Sequence, residues 1–214
     1  MASSAPLSFS LPPALAARLS LAQLTLLARY EQLLKEWNRR LNLISRRDIE
    51  QVGPHHILPS LLLGAWWSPP MEGEVLDLGT GGGLPGIPLA ILFSDTAFRL
   101  IDSTRKKVEA VTAMVAQLGL APRVRVQWVR AEALEARFPV ILGRAVAPLP
   151  RFLKWAEKLL RQGGVVFYYT GEPLPPLPAG WVGEFYPFRT LVPESPYLAT
   201  KGILRLQRRR STSE

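Results

Sequence analysis

Cysteine is absent from this 214-residue chain, and its absence excludes several kinds of chemistry at once. The chain forms no disulfide bond, no thiolate zinc site and no cysteine nucleophile. Any reaction that the chain carries out therefore uses no thiol.

Long apolar runs are also missing. The run from Ile57 to Trp67 is broken by Pro59 and is too short for a span of roughly 20 helical residues across a bilayer. The N-terminus shows no basic segment that leads into an apolar stretch, so a secretory signal is not predicted. We expect a cytoplasmic protein with no membrane partner.

Acidic residues are scarce relative to basic ones. Seventeen Asp and Glu against 26 Lys and Arg give a net charge of +9, which favours a polyanionic partner such as nucleic acid. The remaining composition is ordinary for a globular protein, and the length suits one main domain with an N-terminal extension. The basic runs are Arg39-Arg40, Arg46-Arg47, Arg105-Lys106-Lys107, Arg123 with Arg125, and Arg208-Arg209-Arg210.

The first 70 residues are predicted to form this extension, and it is helical. Apolar positions from Leu21 to Leu43 recur at helical spacing. Asp48 can cap a second helix that Pro54 ends, and a third helix covers His56 to Trp67. The segment Ser68-Pro69-Pro70 closes the extension, so residues 1–70 and 71–214 are the two predicted domains.

From residue 71 onwards, strand and helix patterns alternate, which is typical of a parallel sheet with helices on both faces. We predict an α/β, Rossmann-like fold with a doubly wound, mostly parallel seven-stranded sheet. The predicted strands are Glu74–Leu78, Phe98–Asp102, Val124–Val129, Val140–Leu142 and Val165–Tyr169, followed by antiparallel Trp181–Phe185 and Gly202–Leu206. The predicted helices are Pro88–Phe93, Arg105–Leu118 and Arg151–Leu160.

A glycine-rich loop follows the first predicted strand. Glycines at Gly79 and Gly81 to Gly83 permit a sharp turn and let the backbone approach a ligand closely. Asp102 ends the second strand 23 positions after Gly79, where a carboxylate can accept hydrogen bonds from ribose hydroxyls. Together these features predict a nucleoside-cofactor site.

Four consecutive strand ends are expected to meet at this site, because ligands of doubly wound sheets bind beyond the carboxyl ends of the strands. Taken singly, Asp102 could be a helix cap and Glu132 a solvated loop carboxylate. Their joint arrangement favours cofactor binding. The residues at the four ends are Gly79 and Gly81, Asp102, Ala131 with Glu132, and Arg144.

Two cofactors compete for such a crevice, a nicotinamide dinucleotide and S-adenosylmethionine. Dinucleotide domains usually begin near the start of a chain, whereas here a helical extension precedes the loop and two late strands close the sheet. This order favours S-adenosylmethionine, whose cationic sulfonium suits a glycine-rich backbone and the carboxylate of Asp77. Residues 71–214 are therefore predicted to be a class I methyltransferase domain.

The chemistry that each possible methyl acceptor requires limits which acceptor this chain can use. Carbon-5 methylation of a pyrimidine requires a thiol nucleophile, and this chain has no cysteine. Methylation of an exocyclic amine commonly uses an Asp/Asn-Pro-Pro-aromatic tetrad, and the guanidinium of Arg144 at that place only donates hydrogen bonds. Nitrogen 7 of guanine already carries a lone pair, so positioning without a general base could supply most of the rate.

Further motifs accompany the loop. They are the run Leu76 to Leu89, Ile101-Asp102-Ser103, Arg105-Lys106-Lys107, Arg130-Ala131-Glu132 and Arg144-Ala145, with Glu36-Trp37-Asn38, Leu41-Asn42-Leu43, His56 and Ser60-Leu61 upstream. Together they resemble the RsmG (GidB) ribosomal RNA methyltransferases over about residues 30–206. The Leu84-Pro85-Gly86-Ile87-Pro88 variant makes this resemblance far more specific than a bare glycine motif.

The resemblance implies methylation of nitrogen 7 of a guanosine in the 530 loop of 16S rRNA, with S-adenosylmethionine as cofactor and 16S rRNA or the small ribosomal subunit as partner. It implies that Asp102 is the acid that binds the ribose. For Arg144 it leaves two roles open, contact with the cofactor or contact with the RNA. The cofactor contacts that it implies are Gly79, Leu84, Ala131, Glu132 and Arg144.

Three positions depart from the family pattern. Pro59 stands where the family usually has Asp, Thr170 where Lys is common, and Ile44 where Thr is frequent. Two alternative functions follow. One is an RNA-binding protein of methyltransferase fold with weakened or lost activity, and the other is a small-molecule methyltransferase, for which weak, salt-insensitive RNA binding is expected.

The remaining aromatic, histidine and arginine residues complete the predictions. Trp37, Trp66 and Trp67 lie on apolar helical faces and are expected in the core. Adjacent histidines on a helix point to different faces and no ligand cluster accompanies His55 and His56, so no metal site is predicted. We expect a monomer. The arginines that could contact RNA phosphates are Arg39, Arg40, Arg46, Arg47 and Arg105.

Overall fold

The computed structural model describes residues 6–70 and 72–209, so Arg210 of the last basic run lies outside it. Seven strands form one sheet: β1 Glu74–Leu78, β2 Ala97–Asp102, β3 Val124–Trp128, β4 Phe138–Arg144, β5 Leu160–Gly171, β6 Trp181–Pro187 and β7 Lys201–Arg208. Their order is β3-β2-β1-β4-β5-β7-β6. The first five strands are parallel and β7 is antiparallel to both of its neighbours, which confirms the predicted sheet.

Helices cover both faces of the sheet. They are α1 Pro13–Ala16, α2 Leu21–Asn38, α3 Leu58–Trp66, α4 Gly86–Leu92, α5 Arg105–Gln117 and α6 Leu149–Leu159. Successive strand residues point to opposite faces, so Val75 packs with α2 to α5, whereas Leu76 packs with α6. Within residues 6–70 and 72–209, no helix combines the length and apolar character that a membrane crossing requires.

Helix α2 begins and ends through side-chain hydrogen bonds. Ser20 and Gln23 form a capping box at its start. The prediction that the helix reaches Leu43 is wrong, because Asn38 ends it. Oδ1 of Asn38 accepts hydrogen bonds from the N–H groups of Leu43 and Ile44, at 2.8 and 2.9 Å, so these two buried residues turn away from the helix axis.

The segment after α2 also differs from its prediction. A 3₁₀ helix, Arg46–Gln51, starts at Ser45, whose hydroxyl accepts from the N–H of Arg47, so Asp48 is not its cap. A π-helical turn, Gly53–Ile57, then leads directly into α3. Pro54 lies at the start of this turn and does not end a helix. Proline has no N–H group, but the N–H groups of the first helical turn have no partner within the helix, so none of its hydrogen bonds is lost there.

The helical extension shares its core with the sheet. Leu34 of α2 and Leu61 of α3 belong to the same buried cluster as Ile87 of α4. The hydroxyl of buried Tyr30 donates to the carbonyl of Gly82 at 2.9 Å. Residues on both sides of position 70 thus form one continuous core, and the division into two domains there stays a prediction.

The three tryptophans of the extension pack against this core. Trp66 stacks on Tyr186, with ring centroids 5.4 Å apart, and Trp67 contacts Phe93 and Phe167. Trp37 is partly buried against the same cluster. All three are partly buried and pack against the core, so the prediction is right about the face of the helix but not about full burial.

Replacing Asn38 by alanine tests the end of α2. Asn38→Ala leaves the buried N–H groups of Leu43 and Ile44 without an acceptor, and we expect the free energy of unfolding to fall by about 2 kcal/mol or more. Urea unfolding measures this change. The control is Asn42→Ala, at an exposed position of the same turn, and equal stability of the two variants would contradict this role of Asn38.

Candidate cofactor and substrate site

The glycine loop after β1 is built as the sequence predicts. Gly79, Gly81 and Gly83 have positive φ angles of 76°, 58° and 96°, which side chains disfavour. A Cβ added at Gly79 would lie 2.2 Å from the side chain of Val146, whereas one at Gly81 would meet nothing closer than 3.9 Å. The loop therefore needs glycine for its backbone at both positions, and Gly81 leaves open space beside it.

Asp102 ties the glycine loop to the start of α5. Its carboxylate accepts hydrogen bonds from the N–H of Gly81 at 3.0 Å and from the N–H of Thr104 at 2.8 Å. Each carboxylate oxygen keeps a further lone pair for another donor. Asp102 thus holds the loop in place and can still accept hydrogen bonds from a ligand.

Two adjoining cavities of about 110 and 530 Å³ lie at the carboxyl ends of the strands. Asp102, Gly79, Ser103 and Val146 line both. The structure brings all seven predicted cofactor residues together at these cavities. Ala131 and Glu132 line the smaller cavity, Gly81, Leu84 and Arg144 line the larger one, and Gly79 and Asp102 line both.

Asp77 lies beneath the loop and lines neither cavity. It is fully buried, and its Oδ2 accepts from the hydroxyl of Thr80 at 2.6 Å and from the N–H of Gly86 at 2.9 Å. Burial raises the pKa of Asp77 to about 7, although the hydrogen bonds from Thr80 and Gly86 act in the opposite direction. The carboxyl group therefore supports the loop from below, and the expectation that it faces a cofactor sulfonium is corrected.

Arg144, at the end of β4, joins the strand to the extension. Its Nη1 donates to the carbonyl of His56 at 2.7 Å and to the hydroxyl of Ser60 at 3.1 Å. Its Nη2 donates to the carbonyl of His55 and to Nδ1 of His56, both at 3.0 Å. The guanidinium thus fixes the π-helical turn against the sheet while lining the larger cavity.

Pro59 has a role in this contact. In an α-helix, residue 59 would donate its N–H to the carbonyl of residue 55, but proline has no N–H. The carbonyl of His55 is therefore free to accept from Arg144. The departure from the family pattern at Pro59 is compatible with the site because Arg144 uses the acceptor that Pro59 leaves.

The two histidines face the same carboxylate, contrary to their predicted divergence. Nδ1 of His55 lies 3.2 Å from Oδ1 of Asp48, and Nε2 of His56 lies 3.6 Å from Oδ2, because the π-helical turn changes the angle between successive residues. The part of the chain that the structure describes contains no group of three or more His, Cys, Asp or Glu residues that could hold a metal ion.

His56 is neutral at neutral pH. Burial and the neighbouring Arg144 cation lower the pKa of His56 to about 4, although Asp48 acts in the opposite direction. Because Arg144 can only donate, Nδ1 of His56 is the acceptor in their hydrogen bond and the proton is assigned to Nε2, facing Asp48. Nδ1 is thus paired, whereas Nε2 is buried 3.6 Å from Oδ2 of Asp48 and makes no hydrogen bond within the described residues.

Glu132 is exposed at the rim of the smaller cavity. Nε1 of Trp155 donates to its carboxylate at 2.8 Å. A hydrogen bond from its own backbone N–H, with a smaller contribution from Trp155, lowers the pKa of Glu132. The carboxylate is held in one place and can accept a further hydrogen bond.

The five arginines proposed for RNA contact are all exposed. Arg46 and Arg47 follow Ser45, which lines the larger cavity, and Arg105 follows Thr104, which also lines it. Arg39 and Arg40 start the turn that leads from α2 to this wall. Their positions near the cavity mouth are compatible with phosphate contacts, which stay a prediction.

Several cavity residues were not predicted as site residues, although Ser103, His56 and Lys107 occur in the motifs that carry the family resemblance. Ser103 and Val146 follow the ends of predicted strands, and this position could have identified them as site residues. Tyr197 had no local signal, because it reaches the larger cavity by stacking on His55, with ring centroids 3.5 Å apart. Other cavity residues without a predicted site role include His56, Lys107, Arg151 and Trp155.

Solved methyltransferases share this fold. An S-adenosylmethionine-dependent methyltransferase from Thiobacillus denitrificans, in complex with S-adenosyl-L-homocysteine, is 14% identical with a TM-score of 0.54, covering 82% of this chain and 97% of that one. The glycopeptide N-methyltransferase MtfA is 13% identical with a TM-score of 0.57, covering 70% and 89%. The fold is that of a class I, Rossmann-like methyltransferase.

Sequence comparison defines the family within this class. The family model described as rRNA small subunit methyltransferase G (GidB) matches residues 23–174. Ribosomal RNA small subunit methyltransferase G of Chlorobaculum tepidum is 44% identical over 151 residues, which cover 71% of this chain and 70% of that protein. The protein of the same name from Pelodictyon phaeoclathratiforme is 41% identical, covering 72% and 67%. This chain belongs to the rRNA small subunit methyltransferase G (RsmG, GidB) family.

The raised pKa of Asp77 predicts a pH dependence of stability. Its pKa is about 7 in the folded protein against 3.8 for an ordinary aspartate, so its stabilising contribution is complete below about pH 4 and is lost as the pH rises through 7. We expect the free energy of unfolding of the wild type, relative to Asp77→Asn, to fall by about 4 kcal/mol between pH 4 and pH 8. Urea unfolding across this range measures it, and a difference that stays constant with pH would contradict the assignment.

The contacts of Arg144 predict that lysine cannot replace it. A single ammonium group does not reproduce the four hydrogen bonds of the guanidinium fork, so Arg144→Lys should lower the free energy of unfolding by about 2 kcal/mol or more. The control is Arg130→Lys, at an exposed cavity position. If both variants unfold at the same urea concentration, Arg144 does not hold the extension on the sheet.

Proposed function

We propose that this chain transfers the methyl group of S-adenosylmethionine to nitrogen 7 of a guanosine in the 530 loop of 16S rRNA. The observation that carries the proposal is the convergence of seven residues, six at strand ends and Leu84 in the glycine loop, on two adjoining cavities. Family membership supports the same reaction, since the relatives are named ribosomal RNA small subunit methyltransferase G.

The residues at the smaller cavity fit the adenosine part of the cofactor. Asp102 has lone pairs left for ribose hydroxyls, and Glu132 has an acceptor that Trp155 holds in place. Gly81 offers open backbone toward the larger cavity for the methionine part. When bound, S-adenosylmethionine supplies an electrophilic methyl group on a cationic sulfonium.

The larger cavity suits a base that needs orientation rather than deprotonation. Its apolar wall includes Leu43, Ile44 and Leu84. His56, which also lines it, is neutral, but its Nδ1 accepts from Arg144 and its Nε2 carries the proton, so no ring nitrogen is left to act as a general base. Nitrogen 7 of guanine carries its own lone pair, and holding it in line is the contribution expected of this chain.

The departures from the family pattern do not favour a loss of activity. Pro59 frees the carbonyl that Arg144 uses. Thr170 pairs with Gly202 of β7 and lines neither of the two cavities, and Ile44 belongs to the apolar part of the wall of the larger cavity. We further propose that the chain acts as a cytoplasmic monomer, with RNA phosphates contacted by Arg39, Arg40, Arg46, Arg47 and Arg105.

The decisive experiment supplies the purified protein and S-adenosylmethionine to small ribosomal subunits, and separately to naked 16S rRNA, from a strain that lacks the modification. Chemical cleavage at 7-methylguanosine then maps the product, and we expect one new site in the 530 loop. Cofactor binding without any label in rRNA would favour the small-molecule alternative. No cofactor binding would favour the RNA-binding alternative.

Replacing Asp102 tests the cofactor site directly. Asp102→Ala removes the acceptor for the ribose hydroxyls and loosens the glycine loop, so we expect the affinity for S-adenosylmethionine to fall about 10- to 100-fold. Calorimetry measures the affinity. The control is Glu135→Ala, at an exposed carboxylate that lines neither cavity, and the assignment is wrong if both variants bind the cofactor like the wild type.

A further inference from the structure

Trp128 is an exposed aromatic residue next to the cofactor site. Its side chain is 58% exposed, at the end of β3, which forms one edge of the sheet. It lines neither of the two cavities. A single exposed apolar side chain is common on protein surfaces, so the case for a contact rests on how this ring is held and on the charges around it.

The ring is held in a defined orientation. Nε1 of Trp128 donates to the carbonyl of Ser103 at 3.0 Å. In the sheet, Trp128 is the register partner of Asp102, and the guanidinium carbon of Arg105 lies 5.7 Å from the centre of the ring. Little conformational entropy is therefore lost when another planar group stacks on the ring.

The surroundings of Trp128 are basic. Arg105, Lys106 and Lys107 form the first turn of α5, and Arg130 follows the tryptophan by two residues. The nearby acidic residue Glu109 is paired with Arg105 at 2.9 Å. Such a combination of an aromatic ring and surrounding cations matches the bases and phosphates of a single-stranded nucleic acid.

We propose that Trp128 is a stacking platform for an unpaired base of the substrate RNA, with Arg105 neutralising an adjacent phosphate. This inference rests on the proposed function for the identity of the RNA. The platform lies outside the two cavities, so the base that it binds is not the one that is methylated. The stacked base is a neighbour of the methylated guanosine in the same RNA strand. The platform holds this neighbour while the guanosine enters the larger cavity.

The test measures the affinity of the full-length protein for a 16S rRNA fragment that contains the 530 loop, by filter binding at several salt concentrations. Trp128→Ala should weaken binding about tenfold or more, and Trp128→Phe should stay within about threefold of the wild type because it keeps a ring. The control is Leu21→Ala, which removes another exposed apolar side chain and should leave the affinity unchanged.

Salt dependence separates the two parts of the platform. Arg105→Ala should reduce the steepness of log affinity against log salt by about one, the contribution of a single phosphate contact. Trp128→Ala should leave that slope unchanged, because stacking releases no counterion. Circular dichroism melting of each variant establishes that it is folded. The affinity for S-adenosylmethionine, measured by calorimetry, should be the same in Trp128→Ala and the wild type.

Two results would overturn the platform: folded Trp128→Ala that binds the RNA fragment as the wild type does, or Trp128→Ala that loses affinity for the cofactor but not for RNA. The mapping of 7-methylguanosine with the wild type is independent of both. If the wild type binds the fragment through Trp128 but leaves no methyl mark in the 530 loop, the proposed function fails while the platform stands.

Discussion

The hydrogen bonds of the Arg144 guanidinium are the interaction on which the rest of the site depends. A partly buried cation is costly unless its donors are matched, and here each terminal nitrogen of Arg144 meets two acceptors on His55, His56 or Ser60. Because β4 carries Arg144 at the cofactor edge and the acceptors lie on the extension, one side chain sets the distance between the two walls of the larger cavity.

The local sequence of the extension prepares these acceptors. A regular α-helix would use its carbonyl groups internally, but the π-helical turn and Pro59 leave those of His55 and His56 accessible to Arg144. Tyr169 of β5 adds a second link, since its hydroxyl donates to the carbonyl of Ser60 at 3.0 Å. Irregular backbone in this segment is thus the feature that lets a helical extension join a sheet.

The cofactor side could be predicted from the sequence because its signals are local. A short apolar run before the glycines located β1 as Glu74–Leu78, as the structure has it, and the carboxyl ends of neighbouring parallel strands lie at the same edge of the sheet. Each predicted residue, such as Asp102 or Glu132, needed only its position after a strand. The identity of the class followed from the same few positions.

The substrate side could not be predicted in this way, because it depends on side-chain contacts and irregular backbone that the apolar pattern does not show. The end of α2 is set by the amide of Asn38, which competes with helix continuation without changing the apolar pattern. The convergence of His55 and His56 on Asp48 requires the π-helical turn. Tyr197 comes from a turn region that periodicity does not describe.

The strand order has a consequence for synthesis on the ribosome. All residues that line the smaller cavity lie between Leu78 and Trp155, so they have been made before the last quarter of the chain appears. The larger cavity is complete only after Tyr197 has been made. Strand β6, at the edge of the described sheet, can pair only after β7, its neighbour, has been made. The nascent chain thus holds every cofactor-side residue well before it can enclose a substrate, and the last strand to emerge is the one that inserts between two others.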